Sequence, residues 1–364
     1  MRPLFRERRN KKYSSQKNKN LFRTIVITSE VKKRMKFLYP ESINFFYMYQ
    51  RPQQLMNAFS KEGHQAFFIN KDLDAHGAQN PESVLKISKN LWVYPHKTNP
   101  RSLDFDVLYY TFPPPGMNII RRKRPDFILF DSVDEPINGV FNFWNANGAY
   151  YKSLKRADLV LATSEILFKA AKEYNDEVIL VPNACDFNHF TKETKRPASY
   201  GSRPIVLYCG AIATWVDLEL IKASAVIYPE YDFYCIGASM NDILIPPFPE
   251  NLYVLGHQEY EEVPSFVQHA DVCIIPFNVE QPEVQATNPV KLWEYMATGN
   301  PIVTTAMPET KHKGVLWSKT KREFINNIEK AMNTDKNENF IQFAKENSWE
   351  ARAKKILDKM EELK

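Results

Sequence analysis

Residues 271–305, DVCIIPFNVEQPEVQATNPVKLWEYMATGNPIVTT, constrain the fold more than any other stretch of the 364-residue chain. Asp271 to Phe277 and Pro301 to Thr305 are unbroken apolar runs, the pattern of parallel strands covered on both faces. A polar loop over 278–288 and a helix separate them. Asn288 suits the N-cap of that helix, Pro289 its first position and Gly299 the C′ position. The unpaired N–H groups and positive dipole end from Pro289 through Val290 to Lys291 then form an anion site. A ligand outside the carboxyl end of strand 271–277 would meet this helix start, as a nucleotide diphosphate would.

The helix sorts its residues by face. Val290, Leu292, Trp293, Met296 and Ala297 form an apolar side, whereas Lys291, Glu294, Tyr295 and Thr298 fall opposite. Lys291 and Glu294 are three apart and therefore neighbours. Near a helix start a lysine meets phosphate charge, and a carboxylate accepts two ribose hydroxyls. The competing role is a surface ion pair worth about 0.2–0.5 kcal/mol. The length of the preceding loop favours the functional role.

The rest of the chain repeats this architecture. The first half alternates apolar runs (36–40, 65–70, 91–95, 107–112, 127–130, 159–162, 178–181) with helices predicted over 52–62, 82–88, 143–157 and 164–174. A polar linker, 191–203, precedes a second series: strands at 205–210, 231–236 and 252–255, helices at 217–228 and 262–269, then the opening segment. Alternating βα order implies parallel, doubly wound sheets. The expected domains are a basic, disordered extension over 1–34, a Rossmann-like domain over 35–198, a second over 203–345, and a terminal helix over 346–364 returning to the first domain.

Composition removes several classes. No apolar run approaches the roughly 18 residues that span a bilayer. The four cysteines, Cys185, Cys209, Cys235 and Cys273, have no metal or redox spacing and read as core residues of a cytoplasmic protein. The net charge of +5 is concentrated: residues 1–36 hold 13 Lys/Arg against 2 Asp/Glu, leaving the remainder acidic. Attraction of that arm to the inner face of an anionic membrane competes with a merely solvated tail. Nucleic acid is not an expected partner. No G-x-G, Walker loop, H-x-x-x-H or G-x-S-x-G occurs. Asp72/Asp74 and Asp104/Asp106 have the D-x-D spacing that holds a cation against a diphosphate, but the expectation is no metal and no cofactor.

Several ordered stretches resemble one family. ADVCIIPF…NPVKLWEYMATGNPIV, VILVPNACDFNHF, ADLVLATSEIL and NLYVLGHQEYEEVPSFVQHADV are similar to segments of GT-B glycosyltransferases of family 4, glycosyl transferases group 1. FLYPESINFFYMYQRPQQL resembles a subgroup that makes envelope polysaccharides of the teichuronic acid type. The resemblance implies an α/β GT-B fold, two Rossmann-like domains facing a cleft, and metal-independent, retaining transfer from a nucleotide sugar, UDP-linked by expectation, to a saccharide or lipid-linked acceptor. Glu294 matches the second Glu of the family's E-x7-E motif, the ribose contact, whereas Ala286 stands where the first would be. Thr287, Asn288, Pro289 and Lys291 are then expected to supply the diphosphate contacts.

The family's Arg…Lys pair after the first strand of the donor domain is also missing. Gly210 to Asp217 occupies that place, with Trp215 either stacking on the donor or packing at the hinge, and Asp217 capping a helix. Arg51, at a helix start facing the cleft, is a replacement phosphate contact or a structural residue. Asp134 is the first catalytic candidate and Asp131 the second, both ending strand 127–130. Two other classes stay open: a non-catalytic coat or scaffold protein of the same fold, and a nucleotide-sugar epimerase.

Overall fold

Apolar runs too short for helices and flanked by Asp, Asn, Gly or Pro form two parallel sheets. The computed structural model describes residues 34–364 apart from 76, 135, 137–144, 146–147, 241–242 and 245, and those residues cluster as one unit. The extension read from 1–34 lies outside the described residues except for Arg34, as does much of the first turn of the helix expected from 143.

The first sheet contains β1 (Lys36–Tyr39), β2 (Gln65–Ile69), β3 (Leu85–Ser88), β4 (Leu91–Tyr94), β5 (Val107–Tyr110), β6 (Phe127–Ser132), β7 (Leu159–Ala162) and β8 (Val178–Leu180). Their order is β3-β4-β2-β1-β5-β6-β7-β8, parallel except for the β3–β4 hairpin. Helices α1 (Arg51–Lys61), α2 (Pro113–Arg122), α3 (Ala149–Arg156) and α4 (Glu165–Lys172) accompany it, while α5 (Phe187–Thr191) packs against the second domain's core. Alternation along the strands divides the core. Phe37, Tyr39, Tyr109 and Leu129 meet α1 on one face, and Leu38, Leu108, Tyr110 and Phe130 form the other.

The second sheet contains β9 (Ile205–Cys209), β10 (Asp232–Ile236), β11 (Leu252–Gly256), β12 (Val272–Ile275), β13 (Ile302–Thr305) and β14 (Leu316–Ser318), in the order β11-β10-β9-β12-β13-β14 and wholly parallel. It carries α6 (Leu218–Ile227), α7 (Val263–Gln268), α8 (Pro282–Ala286), α9 (Val290–Ala297), α10 (Lys321–Met332) and α11 (Glu338–Glu346). The last helix, α12 (Trp349–Glu362), packs on α1, burying Trp349, Ala353, Ile356, Leu357 and Met360 in the first domain's core. Strand order reverses about β1 and β9, so their carboxyl ends are the crevices where doubly wound sheets bind ligands.

Two local expectations change, and one helix is added. Residues 85–88 form the edge strand β3, not a helix, because Lys89–Asn90 turns the chain into an antiparallel pairing with β4. The loop over 278–288 contains α8, entered through Pro282 in its first turn. Helix α2, for which no sequence expectation was made, arises from PPPG. Pro113 begins the helix where no intrahelical N–H is required, and Gly116 lets the Tyr110 ring lie 2.2 Å from where a Cβ would stand.

A buried ion pair fixes the start of α1 to the end of β6. Arg51 Nε donates to Asp131 Oδ2 at 2.7 Å and Arg51 Nη2 to Asp131 Oδ1 at 3.0 Å. Tyr109 Oη adds a bond to Oδ2 at 2.9 Å. Arg51 Nη1 donates to the Pro182 carbonyl at 3.3 Å and to Asn183 Oδ1 at 3.2 Å. The side chains are 3% and 0% exposed. Arg51 thus takes the structural of its two expected roles, its fork spent on Asp131 and the β8 end, and the catalytic expectation for Asp131 is corrected, since both its oxygens are occupied. Breaking such a pair strands a buried charge. Arg51→Ala should therefore lower the unfolding free energy by about 3–5 kcal/mol in urea titrations; a loss under about 1 kcal/mol, the size of a surface pair, would contradict this role.

Candidate functional site

Helix α9 begins one residue later than its sequence signals suggest. Pro289 is the N-cap and Val290 the first helical residue, while Gly299, at φ +74°, takes the left-handed position after the end. Asn288 is not the cap. It is buried, with Oδ1 accepting from Asn183 N at 3.0 Å and Trp293 Nε1 at 2.9 Å, and Nδ2 donating to Glu309 Oε2 at 3.0 Å. Glu309 Oε1 accepts from Glu165 N at 2.9 Å, and Asn183 Nδ2 donates to the Asn288 carbonyl at 2.5 Å. The side chain expected on a diphosphate is thus an interdomain joint. Val290 packs against the first domain's core, and Thr287 Oγ1 donates to the Glu283 carbonyl at 2.6 Å.

Lys291 and Glu294 have no such commitments. Neither side chain has a hydrogen bond or salt bridge among the described residues. The Lys291 ammonium lies 4.6 Å from the Phe277 ring centre and 5.4 Å from that of Tyr208, a cation–π cradle at the ends of β12 and β9. Gly210 makes the cradle possible. At φ +141°, its missing Cβ would stand 2.7 Å from Lys291 Cε and 2.9 Å from Nζ. Burial lowers the Lys291 pKa to about 8, only partly offset by Cys209 and Glu294. Burial raises that of Glu294 to about 7 against the pull of Lys291. Each group is held where its ordinary charged form is under-solvated.

The 210–217 loop closes one side. Val216 bridges Phe277, the Trp215 carbonyl accepts from Asn278 N at 2.8 Å, and the Trp215 ring packs on the second core. Asp217 Oδ1 caps α6 through Leu220 N at 2.9 Å, while its Oδ2 pairs with Lys321 at 2.7 Å.

From the first domain comes Asp134, half-buried just beyond β6 and without a hydrogen-bond partner among the described residues. Burial, then the charges of Glu283 and Asp131, push its pKa up to about 7. Sequence reasoning missed Glu283, Asn183 and Glu309. The only local signal for Asn183 was the P-N dipeptide after β8. Of the D-x-D pairs, Asp104 bonds Lys36 Nζ and Asp106 accepts from Lys36 N, while Asp72 and Asp74 are exposed. No group of three metal-ligating side chains occurs among the described residues, and no helix there is long and apolar enough to cross a membrane.

The fold is shared with known proteins. Residues 203–334 match the family model for glycosyl transferases group 1. The Bacillus subtilis (strain 168) protein TuaH, assigned as a teichuronic acid biosynthesis glycosyltransferase, is 28% identical over 228 residues, a span of 56% of each chain. The chain therefore matches little more than half the length of that curated relative. Trehalose-6-phosphate synthase OtsA superposes with TM-score 0.67 at 9% identity, over 90% of this chain and 99% of that one. Anabaena Alr3699/HepE, solved with UDP-glucose, gives 0.65 at 14% identity, over 90% of this chain and 100% of that one. The fold is thus that of the GT-B class, two Rossmann-like domains about a cleft. Within that class, residues 203–334 are similar to the group 1 glycosyl transferases.

The uncommitted pair predicts a pH optimum for a diphosphate probe such as UDP. Above about pH 8 Lys291 loses its charge, and below about pH 7 Glu294 gains a proton and accepts fewer hydroxyls. Affinity measured calorimetrically should peak between those values, with proton uptake near pH 8 as the bound diphosphate restores the ammonium. The Lys291 shift also has a signature in the unliganded chain. Its stability contribution rises from about pH 8 towards 10.5, where the unfolded state binds more protons. Affinity that is flat from pH 6 to 9 would contradict both assignments.

Proposed function

We propose that the chain transfers a sugar from a UDP-linked donor to a saccharide or lipid-linked acceptor in envelope polysaccharide synthesis, with retention and without a metal. The observation that carries this reading is the pair Lys291 and Glu294, half-buried and without a hydrogen bond or ion pair among the described residues, beside Gly210 at the start of α9. The family match over 203–334 and the UDP complexes of a structural neighbour support it.

In this mechanism the bond from the anomeric carbon to the diphosphate oxygen breaks, and a bond to the acceptor oxygen forms. Negative charge grows on the leaving diphosphate. Lys291 and the first-turn amides of α9, Val290 and Lys291, stabilise it in place of a cation. Glu294 holds the ribose. The Gly210–Trp215 loop walls the donor, and the Thr287–Pro289 turn sets the helix start. Asp134, with a carboxyl that exchanges protons near neutrality, receives the proton released by the acceptor hydroxyl. The basic segment 1–36 would hold the protein at an anionic membrane surface, at about 1 kcal/mol per basic residue there, where lipid-linked acceptors reside.

Incubation with a panel of radiolabelled nucleotide sugars and membrane-derived acceptors, with and without EDTA, tests the proposal. Label should enter the acceptor from a UDP-sugar regardless of EDTA. Lys291→Met should lower kcat/KM by about 10²-fold or more, as loss of one charge-stabilising donor does, and Glu294→Gln should raise donor KM. A protein that binds no nucleotide sugar would be a non-catalytic relative. Donor turnover without acceptor would indicate an epimerase, and inhibition by EDTA would restore the D-x-D reading.

A further inference from the structure

The link from β4 to β5 crosses the first sheet without an α-helix. It contains a single 3₁₀ turn, Pro100–Ser102, and a cavity of about 160 Å³ remains between this crossover and α2. That volume holds about one six-membered ring and is too small for a nucleotide. Ile69 and Ile119 line it, and both belong to the apolar cluster on the side of the sheet opposite α1. Neither Gly210, Lys291 nor Glu294 lines it. Strands β5 and β6 are parallel, so α2 must carry the chain back from the carboxyl end of one to the amino end of the other. The last turn of α2 therefore points away from the cleft.

Charge around the cavity is one-sided. Arg101 comes from the crossover, Arg122 and Lys123 from the end of α2, and Glu41 is the one carboxylate among the described lining residues. Glu41 is already engaged: Oε1 lies 2.9 Å from His96 Nδ1, and Oε2 accepts from Lys97 N at 2.8 Å. Lys123 Nζ donates to the Leu103 carbonyl at 2.7 Å and lies 4.5 Å from the Phe105 ring centre. The guanidinium groups of Arg101 and Arg122 have no hydrogen bond or ion pair among the described residues. Their backbones are nevertheless fixed. Asn99 Oδ1 accepts from Arg101 N at 3.1 Å, Ser102 Oγ donates to the Asn99 carbonyl at 2.8 Å, and Gly116 seats α2 against the Tyr110 ring. Beyond residue 36 the chain is net acidic, so this cationic wall is not background charge.

We propose that this cavity binds one anionic sugar unit, carboxylated or phosphorylated, on the outer face of the first domain. Guanidinium forks match the oxygens of either anion, so Arg101 and Arg122 take the charged group. Ile69 and Ile119 take the apolar face of the ring, the division of labour usual in small-molecule pockets. The site is separate from the donor site, and binding there does not depend on the donor reading. Its use does rest on that reading: a saccharide whose end occupies the cleft would be held by an acidic unit further along, and acidic chains would be retained over neutral ones.

Methyl NMR of the full chain, labelled at isoleucine Cδ1, tests this with glucuronate, glucose 1-phosphate, inorganic phosphate and glucose as probes. The Ile69 and Ile119 signals should shift and saturate with glucuronate or glucose 1-phosphate, and the tighter of the two identifies the anion. Inorganic phosphate leaves the isoleucines uncovered and should bind about 10-fold more weakly or worse. Glucose should leave both signals unmoved. The double variant Arg101→Ala/Arg122→Ala should weaken anionic-sugar binding about 10-fold or more, the scale of lost charge-assisted hydrogen bonds. Arg101→Lys/Arg122→Lys should recover part of it. Calorimetric UDP affinity should stay within about twofold in both variants. The assignment is overturned if neither anionic sugar shifts Ile69 and Ile119, if glucose or inorganic phosphate binds there as tightly, or if the double alanine variant binds as wild type does. Anionic sugars bound at these isoleucines by a protein that binds no nucleotide sugar would uphold this site and overturn the donor reading alone.

Discussion

Holding an ammonium and a carboxylate half-buried, without a hydrogen bond or ion pair among the described residues, weakens a folded chain, and the cleft is organised around that condition. Lys291 can occupy its position only because β9 ends in Gly210 and because Tyr208 and Phe277 offer ring faces from neighbouring strands. Each of these depends on sheet order, since β9 and β12 are adjacent and end together. Glu294 follows from Lys291 by helix geometry alone. Remove the parallel order and the glycine, and the charged pair would reach solvent or each other.

The polar residues around this pair serve the opposite purpose. Asn288, Asn183, Glu309 and Glu165 form a closed chain of hydrogen bonds between the domains, and Arg352 donates from α12 to the carbonyls of Pro182 at 3.0 Å and Asn183 at 3.3 Å. Arg51 and Asp131 secure the first domain's cleft edge in the same manner. The start of α9 is therefore anchored to both domains, so a ligand seated there senses their relative position. Domain movement that excludes water around a leaving diphosphate would act through this joint.

How much of this was legible depended on range. Strands such as β5, β7 and β12 declare themselves because a strand buried on both faces must be apolar throughout. The end of α9 was visible because only glycine enters the left-handed position there without strain. Lys291 and Glu294 were accessible for the same local reason, being three apart on a helix. Arg51, Asp131 and Asn288 were not. Their partners lie 80 and 105 residues away, and no periodicity records such pairings. Helix α2 was hidden because PPPG describes a breaker until the Tyr110 ring supplies the reason for Gly116. Position 286 holds an alanine because packing in the first domain's core claims it, a contact no local pattern announces.

The position of the diphosphate in a complex of the full chain with UDP bears most directly on this account. A phosphate oxygen is expected about 3 Å from Lys291 Nζ, with a second near the first-turn amides of α9 and the ribose hydroxyls on Glu294. A diphosphate bound elsewhere in the cleft, with Lys291 still enclosed by Tyr208 and Phe277 and Glu294 touching no ligand atom, would contradict it.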